Sequence, residues 1–409
     1  MNGPPLRSLA SVTVADVYKS GRLAATLSRE SGQVEFRYVD DYLRDGGTPV
    51  ATTLPLDSTP VRVASGAVPP FFAGLLPEGR RLSNLRRAVK TSADDELSLL
   101  LAIGRDTVGV VQVVPSGVTP IPAEPLVQVR RSWTEIRFSD LLEEAGVVDP
   151  VGLPGVQDKA SARMISVPVA RAGERYLLKI SPPEYPCVVE NEDFFLRQAR
   201  GARIECARAR VVHDAEDRPG LLVQRFDRVA EPSGDTTALA CEDACQVLGR
   251  WPADKYNLSA EEVVNGLAER CAARTLAARN LFEQICFAWL TGNGDAHAKN
   301  LSILATVDGE WLAAPAYDLP STVPYGDLSL ALSLQGRTRG ISRRHLVAFA
   351  SDVGLPDRRV AERTIATLLR RLEGLEAAWV AAGIGFPEHV TRSLLKELRH
   401  RWRQASPGP

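Results

Sequence analysis

The pattern of apolar and polar positions predicts a first half built mainly of strands and a second half built mainly of helices. Apolar and polar residues alternate over residues 23–27 and 34–38, a period that is typical of half-buried strands. We therefore predict β structure from residue 14 to about residue 56, with a hairpin at Ser31-Gly32,. Helices are predicted over residues 71–79, 80–89 and 94–103, the last of them capped by residues 91–94 and followed by a strand over residues 110–114,.

The middle of the chain repeats the strand signal after a linker. Residues 115–125 are rich in proline, glycine and alanine, as expected of a connection between domains,. Apolar runs then predict strands over residues 162–169, 175–180, 208–213 and 221–228, with a helix that begins near residue 188. From Cys241 onward the apolar spacing predicts helix almost throughout, over residues 242–248, 260–273, 276–290, 343–351, 357–382 and 387–403,.

Length and charge narrow the class of protein. The 409 residues are enough for several domains, and we place them as an α+β module (residues 1–115), a β-rich lobe (116–228) and a helical lobe (229–409). The formal net charge of −1 gives no global attraction to nucleic acid. No run approaches the roughly 20 apolar residues of a membrane span, so we expect a cytoplasmic protein without membrane contact. Cys241 and Cys245 lack a second metal-binding pair, and we interpret them as reduced helical neighbours,.

The densest group of chemically active residues lies between a predicted helix and a short apolar strand at residues 301–304. Here a glycine-bearing turn carries Asp295, His297, Lys299 and Asn300. Asp295 and Asn300 have the spacing of the kinase catalytic loop, in which the acid aligns the attacking hydroxyl and the amide holds magnesium. Asp318 follows where a second metal-binding acid would be expected. A lone motif of this kind arises often by chance, and a polar turn would give the same residues.

Further parts of a kinase occur upstream, in order. Residues Gly155-Val156-Gln157-Asp158-Lys159 form a glycine-bearing loop before a strand, which can present N–H groups to phosphates or be an ordinary turn. Lys179 lies in an apolar strand, where it can pair phosphates or face solvent. Glu192, or its competitor Glu190, lies in the helix that follows. Residues 224–226 would be the hinge whose backbone contacts the adenine of a nucleotide, or else a strand end that forms a turn with salt bridges. The order predicts an α+β, protein-kinase-like fold of two lobes, in which an extra N-terminal α+β module precedes the β-rich lobe and the second lobe is all-α.

The chain also resembles the HipA-type serine/threonine kinases, the toxins of bacterial type II toxin–antitoxin pairs. The resemblance extends from near residue 14 to beyond residue 330, and the motif around Asp295 is its most specific part. The matching words are Leu75-Leu76-Pro77-Glu78-Gly79, Ile103-Gly104-Arg105-Asp106-Thr107-Val108-Gly109, Gly155-Val156-Gln157-Asp158-Lys159, Asn191-Glu192, Arg225-Phe226-Asp227-Arg228, Glu242-Asp243, Asn293-Gly294-Asp295-Ala296-His297-Ala298-Lys299-Asn300 and Tyr317-Asp318.

The resemblance implies ATP and Mg²⁺ as cofactors and a role for each matching residue. Asp295 would be the catalytic acid, grouped with His297 and Lys299, and Asn300 and Asp318 would bind magnesium. The residues expected to contact the nucleotide, directly or through Lys179, are Gly155, Val156, Gln157, Lys159, Lys179, Glu192, Gln224, Phe226 and Tyr317.

The resemblance also implies partners. It implies a small, HipB-like helix-turn-helix antitoxin that makes most of the contact with operator DNA, and it leaves room for a homodimer of the toxin within that complex. The expected substrate is a protein serine or threonine in a translation component such as an aminoacyl-tRNA synthetase. Phosphorylating it would arrest growth, the basis of persistence.

One departure concerns self-inactivation. Family members autophosphorylate a serine just before the glycine loop, but here residues 147–159 contain no serine, and Gly152 takes the matching position. Any autophosphorylation should therefore fall outside residues 151–159, with Ser161 as a substitute. Two alternative functions explain fewer of these motifs. One is a small-molecule or lipid phosphotransferase, and the other is a catalytically silent kinase-fold partner of a transcriptional repressor.

Overall fold

The computed structural model describes residues 6–30, 32–64, 66–120, 127–144, 164–171, 174–231 and 236–407. Two five-stranded sheets precede a mainly helical half. The predicted glycine loop, from Gly155 to Lys159, and the alternative phosphorylation site Ser161 lie outside the described residues. Within the described part of the chain, none of the helices combines the length and apolar character needed to cross a membrane.

The N-terminal module contains an antiparallel sheet in the order β4-β3-β2-β1-β5. The expected alternation is present in β3, where Val34, Phe36 and Tyr38 are buried. Prediction of β structure to about residue 56 was wrong beyond Tyr38, because a short helix and turns follow, held by the Tyr38 hydroxyl through Val50 N and Leu54 O. The strands are β1 (Val14–Lys19), β2 (Arg22–Glu30), β3 (Gln33–Tyr38), β4 (Val61–Ala64) and β5 (Val111–Pro115), and the helices are α1 (Asp40–Arg44), α2 (Pro70–Leu75), α3 (Gly79–Val89) and α4 (Glu96–Ile103).

The second sheet has the order β6-β7-β8-β10-β9. Strand β8 lies in the centre, between β7 and β10, and pairs antiparallel with both. Its elements are β6 (Val127–Gln128), α5 (Phe138–Glu144), β7 (Ile165–Arg171), β8 (Glu174–Ile180), α6 (Val188–Gly201), β9 (Ala209–His213) and β10 (Pro219–Gln224), followed by the hairpin β11 (Arg228–Ala230) and β12 (Thr236–Ala238).

The helical half also contains a three-stranded sheet, which the all-helical prediction missed. Residues 241–243 form a strand rather than the start of a helix, because Asp243 caps the helix that follows through Gln246 N. Cys241 and Cys245 are therefore free thiols on a strand and a helix, not helical neighbours. The predicted helix over residues 357–382 breaks at Gly374, where φ is 86°. The elements are β13 (Cys241–Asp243), α7 (Ala244–Val247), α8 (Ala260–Arg270), α9 (Arg274–Thr291), β14 (Ser302–Ala305), β15 (Trp311–Ala313), α10 (Arg343–Asp352), α11 (Arg358–Arg371), α12 (Leu375–Ala382) and α13 (Glu388–Ala405).

A buried charge network joins the N-terminal module to the end of the second sheet. The Arg225 guanidinium contacts Asp106 at 2.9 Å and Asp227 at 2.8 Å. Arg228 contacts the same two carboxylates at 3.0 and 2.8 Å, and Gly109 N donates to Asp227 at 3.0 Å. Two of the motifs that carry the resemblance, around Asp106 and around Arg225, therefore connect the N-terminal module to the second sheet.

Candidate active site

The loop that carries Asp295 is shaped by two glycines at the end of α9. Gly292 ends the helix in the left-handed conformation, with φ of 72°, which favours glycine. Gly294 is packed so closely that a β-carbon would lie 2.6 Å from both the Ser329 carbonyl oxygen and Thr322 Oγ1. Thr322 also accepts a hydrogen bond from Gly294 N at 2.9 Å. The two glycines, together with the distant Thr322 and Ser329, thus fix the backbone immediately before the predicted catalytic acid.

Asp295 is fully buried, and the side chains of Asn293, Asn300 and Tyr256 bond to it. Its N–H donates to Asn293 Oδ1 at 2.9 Å, and its carbonyl accepts from Asn300 Nδ2, also at 2.9 Å. The Tyr256 hydroxyl donates to its carboxylate Oδ1 at 2.7 Å. Asn293 and Asn300 therefore orient the backbone, and Tyr256 orients the carboxylate.

Lys179, Glu192 and Asp318 form one ionic cluster. Lys179 Nζ lies 2.7 Å from Glu192 Oε1 and also contacts Asp318 Oδ1. Burial lowers the pKa of Lys179, but the carboxylates of Asp318 and Glu192 outweigh it and hold that pKa above its ordinary value,. Burial, with repulsion by Asp318, raises the pKa of Glu192 despite the opposing charge of Lys179. Lys179 is thus a permanently charged ammonium between β8, α6 and the Asp318 segment.

Two buried asparagines hold the elements around this cluster together: Asn293 connects Asp318 to the catalytic loop, and Asn191 connects helix α6 to Ser321. Asn293 Nδ2 donates to the Asp318 carbonyl at 3.0 Å, so one side chain bonds to the backbones of both Asp295 and Asp318. On helix α6, Asn191 donates to the Ser321 carbonyl at 2.8 Å and accepts from Ser321 N at 3.0 Å. Asp318 itself adopts φ of 55°, a conformation that is uncommon outside glycine. Asp295, Asp318 and Glu192 are therefore placed relative to one another by hydrogen bonds.

His297 and Lys299, the other two predicted catalytic residues, have different surroundings. His297 is buried, and its ring meets that of Tyr256 edge to face at 5.1 Å. Lys299 Nζ instead contacts Asp243 Oδ2 at 2.7 Å and the carbonyl of Gly74 in the N-terminal module at 2.9 Å. Burial lowers the pKa of Lys299, but the Asp243 carboxylate outweighs it and raises that pKa. These contacts are those of a structural link, and direct participation of Lys299 in catalysis stays a prediction.

The predicted adenine-binding residues lie at the end of β10. Gln224 N and Arg225 N donate to the carbonyls of Arg208 and Arg175, which leaves the Phe226 amide without a hydrogen bond among the described residues. The Phe226 ring is tilted against the Tyr317 ring, with centroids 5.6 Å apart. The Tyr317 hydroxyl donates to the Lys299 carbonyl at 2.7 Å, and burial raises the pKa of Tyr317 well above its ordinary value. Phe226 and Tyr317 therefore offer an apolar surface tied to the catalytic loop.

The donor groups near Asp295 suit a magnesium ion that also binds phosphate oxygens. Asp318 has a carboxylate, and Asn300, whose amide nitrogen donates to the Asp295 carbonyl, has an amide oxygen as well. Both are hard oxygen ligands of the type that Mg²⁺ prefers. Among the described residues no group of three or more acidic, histidine or cysteine side chains could hold a metal alone.

A separate cavity of about 870 Å³ opens where the N-terminal module, the β11–β12 hairpin and β15 meet. Its walls include Lys19, Arg105, Arg228 and Glu242. None of the described residues that we predict for the site is among those that line it. The charged groups of the candidate active site therefore lie elsewhere, between the second sheet and the helical half.

Fold and site together define a two-lobed, kinase-like protein that carries an additional N-terminal module. Residues 151–379 match the HipA-like C-terminal domain, and residues 15–114 match the HipA N-terminal domain. The chain belongs to the HipA family.

Individual relatives agree with this assignment. A protein of Sinorhizobium fredii, provisionally named as the kinase Y4mE, is 30% identical over 80% of this chain and 81% of its own length. The serine/threonine-protein kinase toxin HipA of Shewanella oneidensis is 28% identical over 78% of each chain. A chain from the solved complex of Shewanella oneidensis HipA, HipB and operator DNA has a TM-score of 0.75 at 23% identity, covering 96% of both chains. That structural match shows a shared fold.

Three residues that organise the site were missed by our sequence reasoning or given no role. Tyr256 lies in a turn between α7 and α8 and has no neighbouring motif to mark it. Asn191 and Asn293 stand within quoted words, at Asn191-Glu192 and before Gly294. Their position within two residues of a predicted functional acid was the available signal, but Ser321 and Asp318, to which they bond, are 130 and 25 residues away.

Proposed function

We propose that this protein is an ATP- and magnesium-dependent serine/threonine protein kinase that acts as the toxin of a toxin–antitoxin pair. The observation that carries the proposal is the ionic cluster of Lys179, Glu192 and Asp318, linked through Asn293 to the loop of Asp295. Phosphoryl transfer needs positioning and charge neutralisation more than covalent chemistry from the protein. This cluster supplies both.

Each group has a defined task in the proposed reaction. Lys179 holds the α- and β-phosphates, with Glu192 keeping its ammonium in place, and Phe226 and Tyr317 border the adenine. Asn300 and Asp318 hold magnesium, which when bound neutralises charge on the phosphates. Asp295 accepts a hydrogen bond from the acceptor hydroxyl and aligns its oxygen with the γ-phosphorus. The new oxygen–phosphorus bond forms as the bond to the β–γ bridging oxygen breaks, leaving ADP, and Asp295 receives the hydroxyl proton.

The proposed partners follow from membership of the HipA family. We infer a HipB-like helix-turn-helix antitoxin, which would bring most of the contact with operator DNA, because the structural relative comes from a complex of that composition. The net charge of −1 fits such a division,. The proposed substrate is a protein of the translation machinery, such as an aminoacyl-tRNA synthetase, whose phosphorylation arrests growth.

The test is transfer of labelled phosphate from ATP into proteins of a bacterial lysate. Wild type should label a protein on serine or threonine in the presence of magnesium, and Asp295→Asn and Lys179→Met should not. Asp308→Asn, an exposed acid in the same half, is the matched control and should keep full activity. Phosphopeptide mapping identifies the substrate and shows whether any self-labelling falls outside residues 151–159.

Other outcomes of this assay separate the alternatives. Magnesium-dependent ATP turnover with label only in small molecules or lipids would replace protein kinase activity with small-molecule phosphotransfer. Absence of both ATP binding and transfer in wild type would leave a catalytically silent partner of a repressor and would refute the proposal.

A further inference from the structure

The side chain of Tyr256 reaches the Asp295 carboxylate from outside the catalytic loop. Its hydroxyl donates to Oδ1 at 2.7 Å, and its ring packs against His297. A neutral donor of this kind fixes the rotation of a carboxylate without removing its negative charge. Tyr256 can therefore orient Asp295 while leaving it able to accept a hydrogen bond from a substrate hydroxyl.

The neighbour of Tyr256 is tied to the N-terminal module. Lys255 Nζ lies 2.6 Å from Glu78 Oε2, and the two side chains are only 12% and 32% exposed. The same ammonium lies 5.2 Å from the centre of the Tyr256 ring. The Lys255 carbonyl accepts a hydrogen bond from Ala298 N in the catalytic loop at 3.1 Å. Lys255 thus joins Glu78, the Tyr256 ring and the loop of Asp295.

A second contact runs in parallel. Lys299, four residues after Asp295, donates to the carbonyl of Gly74, four residues before Glu78. The catalytic loop is therefore held at two points against one segment of the N-terminal module, residues 74–78, which includes the end of α2. Asp295 is connected to this segment through Tyr256 and its neighbour Lys255. Lys299 contacts it directly. Such a double attachment restricts sliding or rotation of the loop relative to that module.

We propose that Tyr256 is a positioning residue for Asp295, and that the N-terminal module fixes it through the Glu78–Lys255 ion pair. The inference rests on the proposed kinase function. A catalytic group displaced by about 1 Å can lose on the order of a hundredfold in rate. The N-terminal module therefore contributes to phosphate transfer through residues 74–78.

Tyr256→Phe removes the hydroxyl and keeps the ring against His297. Its kcat should fall at least tenfold, whereas the KM for ATP should stay within twofold of wild type, because Lys179, Glu192 and Asp318 are untouched. Glu78→Gln should lower kcat in the same way, since it weakens the hold on Lys255. Because both changes act on one contact, the double variant should be no slower than Tyr256→Phe alone.

The experiment measures kcat, the KM for ATP and the melting temperature of the full chain, with the protein that the lysate assay labels as the phosphate acceptor. Tyr42→Phe, which removes a hydroxyl bonded to the Thr48 carbonyl within the N-terminal module, is the matched control and should keep wild-type kcat. Wild-type kcat in Tyr256→Phe would overturn the inference while leaving the kinase function intact.

Two further outcomes are decisive. Additive losses in the double variant would show that Glu78 does not act through Tyr256. If Tyr256→Phe does not fold, Glu78→Gln carries the test, because it retains the hydroxyl: a lower kcat at unchanged KM supports the coupling, and wild-type kcat rejects it. An inactive wild type would reject the proposed function itself, and the inference with it.

Discussion

Asn191 offers the most direct test of how helix α6 is held against the active site. Asn191 and Ser321 are both fully buried, and two hydrogen bonds of 2.8 and 3.0 Å join the asparagine amide to the Ser321 carbonyl and N–H. Asn191→Ala leaves both backbone groups of Ser321 without these partners. An unsatisfied buried polar group costs about 1–3 kcal/mol, so two of them predict a loss of roughly 2–6 kcal/mol in the free energy of unfolding.

The same change should weaken nucleotide binding. Glu192 follows Asn191 on α6 and holds the Lys179 ammonium at 2.7 Å. Once the helix can shift relative to the Asp318–Ser321 segment, Lys179 is no longer held between its two carboxylates. We expect the Kd for ATP to rise several-fold.

Urea unfolding followed by fluorescence measures the free energy of unfolding. Calorimetric titration with ATP and magnesium measures the Kd for ATP. Asn265→Ala is the control, because Asn265 donates to the Asp352 carbonyl at an exposed position and should cost less than about 1 kcal/mol. Equal unfolding midpoints for Asn191→Ala and Asn265→Ala would refute the reasoning that these buried hydrogen bonds hold the helix.

Three other predictions concern the module joint and the catalytic loop. Arg225→Leu leaves the buried Asp227 carboxylate short of its partner and should cost about 3–5 kcal/mol in urea unfolding, against less than about 1 kcal/mol for Arg22→Leu at the exposed pair with Asp45,. Burial raises the pKa of Asp227, but the charges of Arg225 and Arg228 outweigh it and hold that pKa below its ordinary value. The ionised carboxylate therefore stabilises the fold at neutral pH, and the stability gap between wild type and Asp227→Asn should shrink as the pH falls below about 4. Gly294→Ala should cost about 1–3 kcal/mol by overpacking, whereas Gly201→Ala, whose methyl group meets nothing within 4 Å among the described residues, should leave the melting temperature nearly unchanged.

The local patterns predicted most elements but misplaced several boundaries. Alternation found β3, and the lysine strand and the glutamate helix were predicted at β8 and α6. Prediction failed where a local signal competed with tertiary contacts. Residues 241–243 pair with β14, although the residues that follow them are helical. Residues 45–54 were read as strand although the Tyr38 hydroxyl holds them as turns.

The candidate site was predicted in part. Lys179, Glu192 and Asp318 were expected around one nucleotide, and they form one cluster; their role in binding it stays a prediction. Lys299 was grouped with the catalytic residues because it lies in the same short motif, but its ammonium contacts Asp243 and the Gly74 carbonyl. Residues four apart in a turn can point in different directions, so membership of a motif does not fix a partner.

The sequence by itself determined which chemical groups are present, in what order, and which segments alternate or repeat with the period of a strand or helix. These are local properties, because backbone geometry repeats over a few residues. Only the tertiary structure decided the pairings: Tyr256 with Asp295, Asn191 with Ser321, and Lys299 with Gly74. These partners are 39, 130 and 225 residues apart, and no local pattern records a contact that exists only once the sheets and helices have packed together.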